Sequence, residues 1–342
     1  MGNHGVKITA QHRATLLSIV ERFPRQRLIM WGDLVADEYV YGEIARVSRE
    51  APVLILKQRE KQIVPGGGAN AANNLAELGA RVTPVGVVGD DETGEALLRY
   101  FKLKGVSTRF VVRLAGRPTP TKSRILGGLS HWQRQQIVRI DREPQPFLAK
   151  EVRRKLTRTV LSLLPGASAL LVSDYGYGST DAGEVDFLNR RKGSSSLPLA
   201  IDSRYDLAKY RNVTTATPNE PEVEAVFGQT IGHNLERLDA LGRKLLRRQG
   251  LQALLITRGR DGMVLFEPRR EPRHLPIFGS DQAVDVTGAG DTVIAAYTLA
   301  LATGASFLHA AMLANCAGGL VVMKRGTASV TAGELVAAIR NA

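Results

Sequence analysis

The stretch that decides the fold reads Asp285-Val286-Thr287-Gly288-Ala289-Gly290-Asp291, and an apolar, alanine-rich run follows at residues 293–302. Glycines directly before such a run predict the start of a helix. The first backbone N–H groups of a helix have no partner within it and the helix dipole adds positive charge there, so Gly288, Ala289 and Gly290 are predicted to form a pocket for phosphate oxygens. Asp291 falls in the first turn, where its carboxylate can take a proton from a hydroxyl that attacks a γ-phosphoryl group. Taken alone, the stretch also fits an ordinary helix start with a glycine turn.

The sequence around this stretch alternates between strand-like and helix-like runs. Short apolar runs that end in Asp, Gly or Arg-Gly occur at residues 27–31, 82–88, 169–173, 197–201 and 253–257. Amphipathic runs with helical spacing lie between them, at residues 69–78, 93–104, 149–164 and 235–248. This order predicts an α/β fold with a mostly parallel central sheet and helices on both faces. Ligands in such sheets bind beyond the carboxyl ends of the strands, so the Asp and Gly residues there favour a site at that edge, although each one also suits a turn.

Two segments, about residues 35–58 and 117–140, interrupt this alternation. Both are rich in β-forming residues and have no long helical period, so they predict a small β-sheet lid over the site. The sequence has no clear linker, and we interpret residues 1–26 as an N-terminal helical extension and residues 27–342 as one domain.

Composition limits the classes of function. Hydrophobic residues make up 44% of the 342 residues and charged residues 23%, which is typical of a soluble globular protein with a full core. The single cysteine, Cys316, excludes an intrachain disulfide and fits a reducing cytoplasm. The N-terminus lacks the pattern of a signal peptide, and the longest apolar region, residues 293–323, is interrupted by polar residues and predicts two buried helices rather than a membrane span. The net charge of +13 suits an anionic substrate; no basic stripe with interleaved aromatics is present, so nucleic-acid binding is not expected.

Three motifs together identify a family. Besides residues 285–291, the chain contains the glycine- and asparagine-rich run at residues 65–79 and the N-x-x-E pattern at Asn219 and Glu222. These resemble the signatures of the ribokinase or PfkB family of sugar kinases, and the resemblance extends from about residue 27 to the C-terminus. It implies a ribokinase-like fold, Asp291 as the catalytic base, and ATP with Mg²⁺ as cofactors.

The resemblance also implies roles for further residues. Gly67 and Gly68 let backbone amides approach a sugar closely, and Asn70 offers it a donor and an acceptor. On the ATP side the implied residues are Asn219, Glu220, Pro221, Glu222, Arg204, Thr257, Gly259, Gly262 and Asn315. Glu222 is implied to hold Mg²⁺ through water, as a hard cation prefers.

Motifs in and near the predicted lid, and one after the apolar run at residues 169–173, resemble those of one group in this family, the heptose-7-phosphate kinases. They are G-D-x-x-x-D-x-Y-x-x-G from Gly32, T-K-x-R from Thr121, Q-Q-x-x-R-x-D from Gln135, and the S-D-Y run that contains Asp174. The resemblance implies D-glycero-D-manno-heptose 7-phosphate as the substrate, phosphorylated at its anomeric hydroxyl on the way to ADP-heptose. The implied substrate-binding residues, in addition to the glycines and Asn70, are Asp33, Asp37, Lys122, Arg124, Arg139 and Asp174. Three departures from the group's pattern are Arg49, a longer segment at residues 127–132, and Ser203-Arg204 in place of Pro-Lys.

Other functions stay open at this point. A kinase of the same family acting on fructose, ribose or a ketohexose phosphate would carry the same core motifs. A non-catalytic sugar or nucleotide sensor is the alternative of another class, but it would be expected to lack Asp291, Asn219 or Glu222, and all three are present. The resemblance further implies a homodimer in which the lids of two subunits pair.

Overall fold

The computed structural model describes residues 8–128, 135–145, 147–191 and 197–342. The strands in this part of the chain are β1 (Arg27–Gly32), β2 (Leu34–Val47), β3 (Leu54–Gly66), β4 (Arg81–Gly89), β5 (Val111–Leu114), β6 (Thr121–Gly128), β7 (Gln135–Arg142), β8 (Ala169–Asp174), β9 (Leu199–Ser203), β10 (Thr215–Ala216), β11 (Ala253–Thr257), β12 (Met263–Phe266) and β13 (Arg273–Leu275). The helices are α1 (Ala10–Val20), α2 (Gly67–Glu77), α3 (Glu92–Leu103), α4 (Lys150–Leu163), α5 (Ala182–Arg191), α6 (Glu220–Phe227), α7 (Leu235–Gln249), α8 (Ala289–Ala302), α9 (Phe307–Val321) and α10 (Ala332–Asn341).

The main sheet has the strand order β13-β12-β11-β10-β9-β8-β1-β4-β5. All neighbours from β5 to β11 pair in parallel, whereas β12 and β13 add an antiparallel edge. The predicted mostly parallel sheet is therefore confirmed. The antiparallel edge and the two-residue strand β10 had not been predicted, because runs this short carry too few residues to show a period.

Strand β1 shows how the sheet is covered on both faces. Side chains alternate along a strand, so Leu28 and Met30 pack into one apolar cluster with helices α2, α3, α8 and α9. Ile29 and Trp31 pack into a second cluster with α4, α5 and α7 on the other face. Each fully buried side chain of this kind contributes about 1.5–3 kcal/mol to folding, which fixes the sheet and its strand ends.

The C-terminal edge of the sheet is tightly packed where β1 meets β8. A Cβ at Gly32 would lie 2.1 Å from the backbone oxygen of Ser173, so only glycine allows the two strands to end side by side. This close approach places the residues that follow β1 and β8 at the same edge.

A second, four-stranded sheet in the order β3-β2-β6-β7 rises from that edge. Its strand β2 begins two residues after β1 ends, and β3 leads directly into α2. The two segments predicted as a lid, about residues 35–58 and 117–140, supply most of this sheet, and β3 continues eight residues further than predicted because its pairing with β2 persists to Gly66. The longer segment noted at residues 127–132 lies largely outside the described residues.

The helices α8 and α9 match the prediction of two buried helices at residues 293–323, and Cys316 is buried within α9. Helix α1 packs against α9 and α10 through Leu16 and Ile19, so the described part of the N-terminal extension is attached to the core. Among the described residues, no helix is both long enough and apolar enough to cross a membrane.

Candidate active site

The start of α8 is shaped by Gly288. This residue adopts φ +75°, which non-glycine residues rarely do, and a Cβ there would lie 2.5 Å from the side-chain nitrogen of Asn70. The glycine therefore lets the helix begin directly against α2. Asp291, in the first turn, is brought within hydrogen-bond distance of Asn70 as a result.

Both carboxylate oxygens of Asp291 accept a hydrogen bond. Asn70 Nδ2 donates to Oδ2 at 2.9 Å, and the hydroxyl of Tyr175 donates to Oδ1 at 2.8 Å. Asp291 is 4% exposed, and burial raises its pKa to about 6 even though these two donors and the charge of Lys122 act to lower it. A carboxylate with such a pKa is ionised near neutral pH and is still basic enough to take up a proton.

A chain of buried polar side chains holds Asn70 in place. Asn74 Nδ2 donates to the side-chain oxygen of Asn70 at 3.0 Å and to its backbone oxygen at 2.9 Å. Thr292 in turn donates to Asn74 Oδ1 at 3.0 Å. With its oxygen engaged, the Asn70 amide can only present its nitrogen to Asp291.

Asp291 lies at the wall of a cavity of about 350 Å³ between the lid sheet and the main sheet. Its lining combines lid cations, residues at the ends of β8, β9 and β11, and the start of α8. The lining residues are Asp37, Gly67, Lys122, Arg124, Arg139, Tyr175, Asp202, Arg204, Thr217, Asn219, Glu222, Thr257, Val286, Thr287, Gly288, Gly290 and Asp291. The structure thus brings together most of the residues predicted for the sugar and phosphate sides.

The four cations of the cavity differ in their partners. Arg124 forms a buried ion pair with Asp37 at 2.8 Å, and Arg139 forms an ion pair with Asp141 at 2.9 Å. Among the described residues, Lys122 and Arg204 pair with no carboxylate; burial and the charge of Arg204 lower the pKa of Lys122. Lys122 and Arg204 are therefore the cations available to an incoming anion.

The acidic side of the cavity holds Asp202, at the end of β9, and Glu222, in the first turn of α6. Asn219 and Glu222 form a capping box at the start of α6, in which each side chain accepts the other's backbone N–H at 2.8–3.0 Å. Burial and the charges of Glu222 and Asp291 raise the pKa of Asp202 well above its usual range. Within the described part of the chain, no side chain donates a hydrogen bond to Asp202, and the charge of Arg204 offsets the repulsion only in part.

A smaller cavity of about 170 Å³ adjoins the first and shares Thr257, Val286 and Gly290 with it. Its walls are mostly apolar and include Gly259, Gly262, Ala289 and Asn315, three of which were predicted for ATP. The Asn315 side chain donates to the backbone oxygen of Pro276 at 2.7 Å. The cavity has the character expected of a slot for a flat, mostly apolar group such as adenine.

Two predicted substrate-binding carboxylates do not reach the cavity. Asp33 is 1% exposed, and its oxygens accept the backbone N–H groups of Tyr175, Tyr177 and Ser179. Asp174 accepts hydrogen bonds from the hydroxyls of Ser203 and Tyr210 and lines a different cavity. The expectation that Asp33 and Asp174 bind the substrate is corrected accordingly, since both carboxylates are engaged within the protein.

Four further predicted residues line neither cavity. One is Asn70, whose side-chain nitrogen donates to Asp291 and whose side-chain oxygen accepts from Asn74. Gly68 packs against β1, where a Cβ would lie 2.7 Å from the backbone oxygen of Asp33. Glu220 accepts a hydrogen bond from Arg258 at 2.7 Å, and Pro221 occupies the first turn of α6. Gly68 therefore lets the start of α2 pack closely against the chain after β1, and Glu220 and Pro221 contribute to the start of α6.

The sequence analysis missed Tyr175, Asp202, Thr217 and Thr287 as site residues. Tyr175 and Asp202 stand at the carboxyl ends of β8 and β9, so the strand-end rule that directed attention to Asp174 could have found them. Thr217, two residues before Asn219, follows the very short strand β10, which gave no periodic signal.

Comparison with known proteins agrees with this architecture. A model of pfkB family carbohydrate kinases matches residues 29–151 and 189–332. The bifunctional protein HldE of Pelobacter propionicus is 37% identical over 328 residues, which cover 96% of this chain and 66% of that protein. HldE of Pseudomonas syringae pv. syringae is 40% identical over 320 residues, 93% of this chain and 65% of that protein. The chain spans less than two thirds of the length of these curated relatives.

Two solved structures show the same fold. Arabidopsis thaliana ribokinase complexed with ribose and ATP superposes with a TM-score of 0.71 at 20% identity, covering 92% of this chain and 99% of that one. Escherichia coli phosphofructokinase-2 in complex with substrates and products superposes with a TM-score of 0.73 at 17% identity, covering 92% and 98%. Because the family model matches most of the length of this chain, the chain belongs to the pfkB family of carbohydrate kinases.

Proposed function

We propose that this protein transfers the γ-phosphoryl group of ATP to the anomeric hydroxyl of D-glycero-D-manno-heptose 7-phosphate, giving the 1,7-bisphosphate used for ADP-heptose. The observation that carries the phosphotransfer is Asp291: a buried carboxylate with a pKa raised to about 6, in the first turn of a helix whose start lines a cation-rich cavity. An ATP-dependent step of this kind is expected in the cytoplasm.

In the reaction, the sugar oxygen forms a bond to the γ-phosphorus, the bond to the bridging oxygen of ADP breaks, and the proton of the sugar hydroxyl passes to Asp291. The N–H groups at the start of α8, together with Lys122 and Arg204, face the negative charge of the transferred group. The adjoining apolar cavity would take the adenosine. The lid sheet limits the access of water, which competes as an acceptor.

Mg²⁺ would be held by Asp202 and Glu222, with Asn219 beside them. The fit rests on the donor set, because hard oxygen ligands line the cavity. Burial and the charge of Glu222 raise the pKa of Asp202, and a cation bound between the two carboxylates would offset both effects. In the described ranges, no group of three or more His, Cys, Asp or Glu residues is arranged to hold a metal directly, which suits binding through water and ATP oxygens. The ion supplies neutralisation of phosphate charge.

The choice of heptose rests on the lid motifs and on the similarity to the HldE proteins. The 7-phosphate needs a cation that is not paired with a carboxylate, and among the described residues Lys122 meets this requirement in the lid. Arg124 and Asp37, in contrast, form a pair that fixes β2 to β6. Asp37 still lines the cavity, so the outer side of its carboxylate can face a sugar hydroxyl.

The test is an ADP-release assay with a panel of acceptors: heptose 7-phosphate, fructose, ribose and fructose 6-phosphate. We expect kcat/KM for heptose 7-phosphate to exceed the others by at least about a hundredfold, the discrimination that a site with dedicated polar contacts achieves. A higher kcat/KM for another sugar would reassign the substrate. Binding of ATP and sugar without turnover would instead favour the sensor hypothesis.

The lid also supports the proposal of a homodimer. Six apolar side chains in or beside the lid sheet are exposed, at Val47, Val53, Leu54, Ile137, Val138 and Ile140. Pairing of two such sheets would remove these side chains from water. Light scattering of the purified protein is expected to give twice the mass of the chain, and an Ile140→Lys variant is expected to give the mass of a monomer.

A further inference from the structure

Three backbone N–H groups of the loop that follows β8 converge on one buried carboxylate, Asp33, and a fourth, that of Gly176, donates to Asp174 at 3.0 Å. Asp33 accepts the backbone N–H groups of Tyr175 and Tyr177 at 2.9 Å and that of Ser179 at 3.0 Å. Gly176 and Gly178 adopt φ +80° and +88°, which turns alternate N–H groups toward the same point. The loop is therefore held rigidly at the carboxyl end of β1, and Tyr175 is delivered to one position.

That position is at the catalytic base. The Tyr175 hydroxyl lies 2.8 Å from Asp291 Oδ1, while Asn70 occupies Oδ2. The Tyr175 ring is enclosed on two sides: Lys122 Nζ lies 5.1 Å from its centroid, and a Cβ at Gly67 would lie 3.1 Å from its Cε2. Nothing in the phosphotransfer step itself requires a phenol at this oxygen.

We propose that Tyr175 is a positioning residue that makes the enzyme discriminate against water as the phosphoryl acceptor, by covering Asp291 Oδ1 until a sugar binds. This inference rests on the kinase function proposed above. In the reaction that Tyr175 suppresses, the oxygen of water forms the bond to the γ-phosphorus, the bond to the bridging oxygen of ADP breaks, and the proton of water passes to Asp291.

The discrimination follows from where each acceptor obtains its binding energy. Any acceptor that uses Oδ1 has to displace or weaken the Tyr175 hydrogen bond, and a hydrogen bond to a charged group is worth at least about a factor of ten in an equilibrium. Water brings no other contacts to compensate this loss. A phosphorylated sugar has remote contacts with the lid cations, Lys122 among them, and these can drive the exchange. The cost therefore falls mainly on water.

The test compares Tyr175→Phe with Tyr177→Phe. Tyr177 belongs to the same loop, but its hydroxyl donates to Glu143 at 2.8 Å rather than to the base. ADP formation is measured with ATP and Mg²⁺ alone and then with heptose 7-phosphate added. We expect Tyr175→Phe to raise the ratio of sugar-independent to sugar-dependent turnover by about tenfold. Tyr177→Phe is expected to leave the ratio at the wild-type value.

A second measurement does not depend on turnover. The carboxyl of Asp291 is titrated by ¹³C NMR on aspartate-labelled protein, with its signal assigned by its absence in Asp291→Asn. Loss of the phenol donor is expected to move the titration to higher pH in Tyr175→Phe and not in Tyr177→Phe, because a donor stabilises the ionised carboxylate.

The outcomes separate the inference from the proposed function. If wild-type protein phosphorylates the sugar but Tyr175→Phe changes neither the turnover ratio nor the titration, the inference is overturned and the kinase function stands. An unchanged ratio with a shifted titration also overturns it, because Tyr175 then tunes the base without selecting the acceptor. If no sugar is phosphorylated by the wild-type protein, the proposed function fails, and the inference falls with it even where the titration shows the phenol contact.

Discussion

Replacement of the base by its neutral isostere, Asp291→Asn, is expected to inactivate the enzyme and stabilise the fold. Burial raises the pKa of Asp291 from 3.8 to about 6, so ionisation is harder in the folded state than in the unfolded chain. The difference of about two pKa units corresponds to roughly 3 kcal/mol at a pH where both states are ionised. Asparagine keeps the shape and removes this penalty, while loss of a general base lowers turnover by about 10²–10⁴.

The pH dependence has a definite sign. For a carboxyl group whose pKa is raised by folding, ionisation does not destabilise the fold at a pH below the pKa of the unfolded chain. The destabilisation is complete at a pH above the pKa of the folded protein. The excess stability of Asp291→Asn is therefore expected to be about 3 kcal/mol at pH 8 and about half of that at pH 5. In the wild-type enzyme, kcat/KM is expected to fall as pH decreases through about 6, since the base becomes protonated.

Urea unfolding followed by fluorescence and circular dichroism, at pH 5 and pH 8, measures this difference. Asp285→Asn is the matched control from the same stretch. Burial raises the pKa of Asp285, but hydrogen bonds from Thr287 and Gly326 outweigh burial and lower it overall, so that substitution should destabilise the protein at pH 8 and less so in acid. Asp291→Asn protein that is no more stable than wild type at pH 8, or whose advantage does not grow from pH 5 to pH 8, would refute the reasoning.

Five further substitutions probe the rest of the site. Asp202→Asn is expected to raise the Mg²⁺ concentration for half-maximal activity at least about tenfold in a Mg²⁺ titration, because it removes a carboxylate from the predicted ion site. Lys122→Met should raise KM for the sugar phosphate with little change in melting temperature, whereas Arg124→Met leaves a buried carboxylate unpaired and should cost about 3–5 kcal/mol in urea unfolding. Gly288→Ala should lower the free energy of unfolding by about 1–3 kcal/mol and should also lower kcat, because φ is +75° and the new Cβ would meet the side-chain amide of Asn70. At Gly290 a Cβ would have open space, so Gly290→Ala should unfold like the wild-type protein.

The regular part of the fold was predictable because each unit is long enough to show its period. The amphipathic run at residues 235–248 became α7 (Leu235–Gln249), and the apolar run at 253–257 became β11 with the same bounds. The strand β13, three residues long, carries no period of its own and exists because β12 offers an edge. Its existence depends on tertiary pairing, which a single sequence does not display.

The two carboxylates of the G-D-x-x-x-D motif show why site residues were harder to predict than elements. Asp33 and Asp37 are both acidic, both buried and both near the end of β1. Asp33 turns toward the loop after β8, whereas Asp37, four residues further along β2, lines the cavity. Which of the two faces a ligand depends on how the loop after β8 folds back, and that requires contacts 142–146 residues apart in the chain.

The first residue of the opening stretch links the catalytic helix to the lid. Asp285 accepts the backbone N–H of Thr287 and, across the chain, that of Gly326, each at 2.9 Å. The next residue, Thr327, donates its hydroxyl to Asp37 at 2.5 Å and its backbone N–H to the Tyr39 hydroxyl at 2.8 Å.

Both Asp37 and Tyr39 belong to β2 of the lid, so one continuous set of hydrogen bonds joins the segment before Asp291 to the sheet that covers it. A displacement of the lid therefore strains the contacts that hold residues 285–287, and an ordered start of α8 favours the lid position seen here. This coupling explains why the stretch begins with an acid that touches neither cavity: Asp285 fixes the geometry in which Asp291 and the lid cations face the same space.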